Sequence, residues 1–249
     1  MRWDPTQYAR YADERGRPFF DLVSRVDARA PQCVVDLGCG PGDLTVTLTQ
    51  RWPSAEVRGI DASAEMIAAT PPGAAFSVGT AETFDAAGVD VLIANAVLQW
   101  VPDHRELLTR WAGQVRGWLA FQVPANFDAP SHVLMRELAD SPRWRDRLGG
   151  VLRGTESVDP PAAYLDRLAR AGLSVEAWQT TYLHVLPGAD PVLGWVRGTG
   201  LRPVLAALDP GEADAFCTEY AARLRAAYPP QPYGTVFPFA RTFVVAHVS

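Results

Sequence analysis

Lysine is missing from this chain: all 23 basic residues among its 249 are arginine. That absence excludes lysine Schiff-base chemistry, attachment of pyridoxal phosphate through lysine, and the lysine of a phosphate-binding P-loop. Cysteine is scarce. Cys33, Cys39 and Cys217 have neither metal-ligand spacing nor the pattern of a disulfide framework, so each is expected to be a small packing residue. No pair of histidines has helix-spaced zinc geometry, and no metal is expected. No apolar run is long enough to span a bilayer, and Met1-Arg2-Trp3-Asp4-Pro5 lacks the features of a secretory leader, which leads us to expect a cytoplasmic protein. Positive charge is not in excess either. A net charge of −5 argues against nucleic acid or an anionic membrane as a partner.

What is present is an ordinary globular composition, 48% apolar, in a length suited to one large α/β domain. Its most informative stretch is Val34-Val35-Asp36-Leu37-Gly38-Cys39-Gly40-Pro41-Gly42. An apolar run of strand character meets three glycines at alternate positions, and a helical pattern follows from Asp43. Glycine is needed where a backbone turns tightly or comes close to a ligand. A glycine loop between a strand and a helix N-terminus is a nucleotide-type site at the carboxyl edge of a parallel sheet. The spacing is Gly-x-Gly-x-Gly. The dinucleotide fingerprint places its third glycine one position later, so the pattern points away from nicotinamide cofactors and toward S-adenosylmethionine.

The rest of the chain supports a doubly wound sheet. Pro5 to Arg29 reads as an amphipathic helical lead-in, expected to break at Gly16-Arg17-Pro18. Strands are predicted at 33–37, 56–60, 75–78, 90–94 and 118–123, alternating with helices at 44–51, after Ser63 and at 105–112. Beyond Pro124 the rhythm changes. Helices are predicted at 132–138, 162–170, 191–199 and 210–227, and strands at 173–185 and 239–246. The expected organisation is a single α/β domain over 1–249 with a mostly parallel seven-stranded sheet. Within it fall a helical lid (1–30), a cofactor-binding half (31–124), a helical substrate-cap insertion (125–171) and a C-terminal part (172–249) that completes the sheet.

The companions of the glycine loop define a candidate cofactor site. Asp61 closes the second strand about 20 residues beyond the loop, where a carboxylate faces ribose hydroxyls, and Ala62 follows it. Asp36 precedes the loop and is expected to hold it through backbone N–H groups. Met66 has the spacing to reach back over an adenine ring, although a lone helical methionine also serves as core filler. Ala81 and Glu82 follow the third strand, where an adenine amino group would lie. Asn95 ends the fourth strand at the rim of the same crevice.

With these residues in place, the chain resembles the class I S-adenosylmethionine-dependent methyltransferases and, more narrowly, the trans-aconitate methyltransferases among them. The likeness runs from Trp3-Asp4-Pro5-x-x-Tyr8 through Asp36–Gly42, Gln50-Arg51-Trp52-Pro53 and Gly59-Ile60-Asp61 to Ala94-Asn95-Ala96-x-Leu98-Gln99-Trp100-x-Pro102-Asp103-His104. It continues in His132-Val133-Leu134-Met135-Arg136-Glu137, Thr180-Thr181-Tyr182-x-His184 and Thr199-Gly200-Leu201-Arg202-Pro203. One departure is Gly79-Thr80-Ala81-Glu82, which has no Asp before the Ala at the adenine edge. The resemblance implies methyl transfer to a carboxylate of trans-aconitate or a related small polycarboxylate, with S-adenosylhomocysteine as by-product. An ionised carboxylate needs no general base, so the site residues are expected to position rather than to titrate. Gln99 and Trp100 would form the pocket wall. Trp3, Tyr8 and Tyr11 would close a lid. Arg15, Arg17, Arg202 and Arg241 would be candidate carboxylate clamps, each with a surface or salt-bridge role as the alternative. His104, His132 and His184 are expected in structural, hydrogen-bonding roles.

Other readings stay open at this level. They are a methyltransferase for a different small acceptor and a non-catalytic S-adenosylmethionine-binding module. A nicotinamide-dependent oxidoreductase lacks the later glycine it would need.

Overall fold

The computed structural model describes residues 12–248, with side chains from residue 16 onward. Trp3, Tyr8 and Tyr11, and the lid expected of them, lie outside the described residues, as does the side chain of Arg15. The first helix is α1 (Ala12–Val23), and it runs through Pro18 without the expected break. Proline costs one ladder hydrogen bond and crowds the preceding turn. Against that, Gly16, Pro18, Phe19, Leu22 and Val23 are all buried, and packing of this face outweighs the single missing bond.

Alternation then follows in the order β1 (Cys33–Leu37), α2 (Asp43–Arg51), β2 (Glu56–Asp61), α3 (Ala64–Ala68), β3 (Ala75–Val78), β4 (Val91–Asn95), α4 (His104–Ala112) and β5 (Trp118–Pro124). The Ser63 hydroxyl accepts from the Met66 N–H at 3.2 Å and starts α3. Later come α5 (Pro130–Ala139), α6 (Arg145–Leu148), α7 (Pro161–Arg170), β6 (Leu173–Leu186), α8 (Pro191–Arg197), α9 (Arg202–Ala207), α10 (Pro210–Ala227) and β7 (Thr235–Val248). Asp209 and Glu212 form a reciprocal capping box that starts α10. The final strand is longer than its predicted 239–246, because Thr235, Phe237 and Phe239 continue the alternation of buried positions.

The sheet has seven strands in the order β3-β2-β1-β4-β5-β7-β6, and the pairs β1–β2, β2–β3, β1–β4 and β4–β5 are parallel. The strand order reverses between β1 and β4. Loops leaving the carboxyl ends of such neighbours diverge to opposite faces and leave a crevice between them. The central strands are apolar and buried on both faces, as a parallel interior demands: Val34, Val35, Val91, Leu92, Ile93 and Ala94 are all 0% exposed.

The chain forms two compact units. The first comprises the described residues up to Pro124, with Val158–Thr180 and the end of β7 from Thr242; the second comprises Ala125–Ser157 and Thr181–Arg241. The expected insertion at 125–171 is therefore divided, since α7 belongs to the first unit. The reason is local. Tyr164 and Leu168 of α7 are fully buried in the first unit's core, with Phe121, Leu107 and Leu108. Tyr164 Oη lies 2.9 Å from His104 Nε2 and accepts the Asp159 N–H at 3.0 Å, while Arg105 forks onto the Asp159 carboxylate at 2.7–3.0 Å. Burial holds His104 below its usual range, so it is a neutral hydrogen-bonding side chain. In the second unit, α10 packs on α5 and α8, and Trp195, Phe237, Phe239 and Tyr228 meet ring to ring. No helix of the described residues is long and apolar enough to cross a membrane.

The Tyr164 hydroxyl satisfies two buried groups at once. Replacing it with Phe leaves His104 Nε2 and the Asp159 N–H without their partner, and Tyr164→Phe is expected to lower unfolding free energy by ~1–3 kcal/mol. Urea denaturation at neutral pH measures this. A loss below ~0.5 kcal/mol, the range of an ordinary surface substitution, contradicts the assignment.

Candidate active site

The loop after β1 is shaped by what its glycines lack. Gly38, Gly40 and Gly42 have φ of 76°, 57° and 82°, the left-handed region in which a side chain is strained. A Cβ on Gly38 would stand 2.5 Å from the Val97 side chain, and one on Gly42 would stand 2.7 Å from the Phe76 ring. Gly59 of β2 lies beneath the loop, and a Cβ there would press on Phe76 at 2.5 Å and on Cys39 Sγ at 3.0 Å. At Gly38 and Gly42 the loop is thus laid against its neighbours with no room for a side chain, while Gly40 has open space around it and needs glycine for its φ alone. Gly42 caps α2, so the N–H groups of that helix's first turn open at the crevice.

Asp61, rather than Asp36, ties the loop down. Its Oδ2 accepts the Gly40 N–H at 2.8 Å, and its Oδ1 accepts the Ser63 N–H at 2.9 Å. The Ile60 carbonyl takes the Gly38 and Cys39 N–H groups at 2.7 and 3.1 Å. Each Asp61 oxygen keeps a lone pair for a further donor. The expectation for Asp36 is corrected here. It is buried within β1, and its Oδ2 accepts from Thr45 Oγ1 at 2.6 Å on the first turn of α2 instead of from loop amides. Burial, with the charge of Asp61 nearby, pushes Asp36 up from 3.8 to about 6, against the lowering effect of the Thr45 bond. Cys39 is driven far above the ordinary thiol range by burial and by the same two carboxylates, so it is a thiol and not a thiolate.

The opposite wall is built from the end of β4. Asn95 Oδ1 accepts from Gln122 Nε2 at 2.7 Å, and the Gln122 carbonyl accepts the Ala96 N–H at 3.0 Å. Ala96 has φ 57°, a conformation that costs a non-glycine residue energy and is tolerated where surrounding bonds impose it. Gln99, buried, donates Nε2 to the Ala96 carbonyl at 2.6 Å and completes that frame. Trp100 follows, half-buried, in the short 3-10 turn Leu98–Trp100. Thr45, Val97, Ala96 and Gln122 are site residues that sequence reasoning missed. Gln122 left a trace, as a lone polar residue inside an apolar strand. Ala96 left none, since alanine carries no signal for a left-handed turn.

The remaining candidates are placed as follows. Ala62 is exposed beside Asp61, and Met66 is 3% exposed on α3, which packs on β2 and β3. Ala81 is buried, and Glu82 is exposed with its carbonyl accepting from Arg110 at 3.0 Å. The structure therefore brings Asp36, the three glycines, Asp61, Asn95 and Gln99 to the carboxyl ends of β1, β2 and β4. Arg17 is not among them. It lies on the exposed side of α1, 3.9 Å from Asp21, with 72% of its side chain in solvent. In the second unit, Arg202 opens α9 and is half-buried. Arg241 is 5% exposed on β7, its guanidinium 4.8 Å from the Phe239 ring centre. Asn126 clamps the neighbouring Ala240 at both backbone groups, at 2.9 and 2.6 Å. Among the described residues no cluster of three His, Cys, Asp or Glu side chains could hold a metal ion.

The raised Asp36 has a direct consequence for stability. The folded state binds this proton more tightly than the unfolded chain does. The contribution is complete below the unfolded value of 3.8 and is lost as pH rises through about 6. Asp36→Asn removes that dependence. Its stability relative to wild type is expected to improve by ~1.4 kcal/mol between about pH 5 and about pH 7.5, read from urea midpoints. A difference that does not change with pH overturns the assignment.

Comparison with known proteins agrees with this geometry. Residues 8–177 match the family model described as a methyltransferase domain. The chain is 51% identical to the trans-aconitate 2-methyltransferase of Streptomyces avermitilis, over 98% of this chain and 96% of that protein. It is 52% identical to the one of Mycolicibacterium gilvum, over 99% of each. Among solved structures it is similar in fold to geranyl diphosphate C-methyltransferase from Streptomyces coelicolor, with a TM-score of 0.51 and 15% identity over 97% of this chain and 80% of that one. The α/β fold, the glycine loop of the first unit and near-full-length identity lead to one statement: the chain belongs to the trans-aconitate 2-methyltransferase family of methyltransferase-domain enzymes.

Proposed function

We propose that this enzyme transfers a methyl group from S-adenosylmethionine to one carboxylate of trans-aconitate, or of a closely related small polycarboxylate, giving a monomethyl ester and S-adenosylhomocysteine. The observation that carries the cofactor half of this reading is the loop with left-handed glycines at 38, 40 and 42, pinned by Asp61 where the strand order reverses. The acceptor is supported by identity of 51–52% to trans-aconitate 2-methyltransferases over both units of the chain.

The residues present fit the cofactor. Bound there, it supplies an electrophilic methyl on a sulfonium. The glycine loop and the α2 N-terminus admit a close backbone approach, and buried Asp36 adds negative charge beneath the loop. Asp61 has lone pairs left for ribose hydroxyls, with Ala62 beside it. Met66, Ala81 and Glu82 form the adenine side, and Asn95 the rim. Gln99 and Trp100 orient the acceptor. Gln99 does so from a frame in which Ala96, Asn95 and Gln122 are already bonded, so little ordering remains on binding. Arg202 and Arg241 of the second unit are the proposed carboxylate clamps, and Arg17, exposed beside Asp21, is not one of them. An acid group is ionised at neutral pH and attacks without a general base. In this reading the protein works in the cytoplasm on a small acid, without a metal, nucleic acid or membrane partner.

The test is a methyl-transfer assay with trans-aconitate and a panel of di- and tricarboxylic acids, read by mass spectrometry of the ester. Methylation of trans-aconitate in preference to the panel is expected. Asp61→Ala, which loses the loop tie and the ribose acceptor together, is expected to raise KM for S-adenosylmethionine at least ~10-fold, with KM for the acid within ~2-fold of wild type. Methylation of none of these acids by an enzyme that binds the donor normally overturns the acceptor assignment.

A further inference from the structure

Gln122 is an amide in an apolar place. It lies in β5 between Phe121 and Val123, and none of the three is more than 1% exposed. A polar group buried there is costly unless it is bonded. β4 and β5 run parallel with Asn95 opposite Gln122. Gln122 Nε2 donates to Asn95 Oδ1 at 2.7 Å, and the Gln122 carbonyl accepts the Ala96 N–H at 3.0 Å. Gln99 Nε2 donates to the Ala96 carbonyl at 2.6 Å. The peptide groups on both sides of Ala96 are gripped, and the residue is kept at φ 57°. A left-handed alanine persists only where its surroundings impose it, and such strain gathers at binding and catalytic sites.

This frame decides what Asn95 can offer. A primary amide has an acceptor end and a donor end. The acceptor end is taken by Gln122. Nδ2, the donor end, has no hydrogen-bond partner among the described residues and is not sealed from solvent. Asn95 is half-buried at the carboxyl end of β4, and β1 is the parallel neighbour on the other side of that strand. The donor therefore stands at the edge of the crevice where the strand order reverses. Asp36 of β1 and Asp61 of β2 bring negative charge to the same crevice. An anion that enters against that field needs a donor fixed in advance.

We propose that Asn95 Nδ2 donates to the acid group that is methylated, and that Gln122 is the positioning residue that keeps this donor end outward. The inference rests on the methyl-transfer reading. A carboxylate has two oxygens. One forms the new bond to the methyl carbon as the methyl leaves sulfur, where the electron pair of the broken bond remains; no proton moves. The other becomes the ester carbonyl and accepts a hydrogen bond from start to finish, so a donor held on it fixes the plane of attack. A neutral amide serves here where a guanidinium would not. The carboxylate loses its charge as it reacts, and a paired cation would stabilise the charged starting state above the transition state.

The test compares wild type with Asn95→Ala, Gln122→Glu and Gln122→Met, using trans-aconitate as the acid. Asn95→Ala removes the donor and is expected to lower kcat/KM for the acid ~10–100-fold, with S-adenosylhomocysteine affinity within ~2-fold of wild type. A carboxylate at position 122 has no N–H to give. Asn95 would turn its amide over to donate to it and present Oδ1 to the acid, so Gln122→Glu is expected to lose at least as much, although residue 122 is itself buried. Gln122→Met leaves Asn95 unheld but not reversed, and a smaller loss is expected. Thermal melting follows folding; should Gln122→Glu fail to fold, the other two variants carry the comparison. Wild-type kinetics in Asn95→Ala overturn the proposal. So does an equal loss of S-adenosylhomocysteine affinity, which gives Asn95 to the carboxylate of the cofactor instead. Calorimetry of trans-aconitate with the S-adenosylhomocysteine-loaded enzyme separates this inference from the methyl-transfer reading. If wild type binds the acid without methylating it, the reaction is removed, and Asn95→Ala decides the donor: weakened binding keeps it, unchanged binding removes it. An acid that wild type neither binds nor methylates removes both.

Discussion

The Asp61 carboxylate is the tie on which the active-site crevice depends. It reaches across from the end of β2 to the Gly40 N–H and turns back to the Ser63 N–H, so one side chain holds the glycine loop and the start of α3 together. The loop has little else to hold it. Three residues in the left-handed region carry no side chains to pack, and its remaining anchors are backbone bonds to Ile60 and the single 3.2 Å bond from Gly42 to Cys39. Without a counterpart for the Gly40 amide the turn would have no reason to keep its shape against chain entropy. The surfaces that press on it, Val97 and Phe76, act as a mould that accepts only glycine at positions 38 and 42.

Much of the first unit could be read from its residues, because parallel strands buried on both faces are written as continuous apolar runs and their ends as Asp, Asn and Gly. Ala75–Val78 and Pro210–Ala227 have the same bounds in the prediction and in the structure, and Ser63 caps its helix as its residue type implies. The misreadings have particular causes. Gly16 and Pro18 are strong local breakers, yet burial of their helix face prevailed over them. In Thr199-Gly200-Leu201-Arg202-Pro203 the first three residues form a turn, and Pro203 falls in the first turn of the unpredicted α9, where its missing N–H costs nothing. Asp36 shows the limit for the site itself. Its identity marks the loop, but the direction of its side chain toward Thr45 follows from the strand's facing and not from any spacing.

A chain without lysine also makes different use of its cations. Arg51 lies 5.0 Å over Trp52, Arg143 lies 4.6 Å over Trp144, and Arg241 lies 4.8 Å over Phe239. A guanidinium is planar and weakly hydrated, and it stacks on rings where an ammonium would hold its water. That property lets Arg241 sit 5% exposed in β7.

The position of Cys39 carries one more implication. Oxidants and alkylating agents attack the thiolate, and burial, helped by the two carboxylates that shape this crevice, keeps the sulfur protonated. A cysteine set in the glycine loop is thereby shielded from sulfenic acid formation by its burial and by the negative field around it.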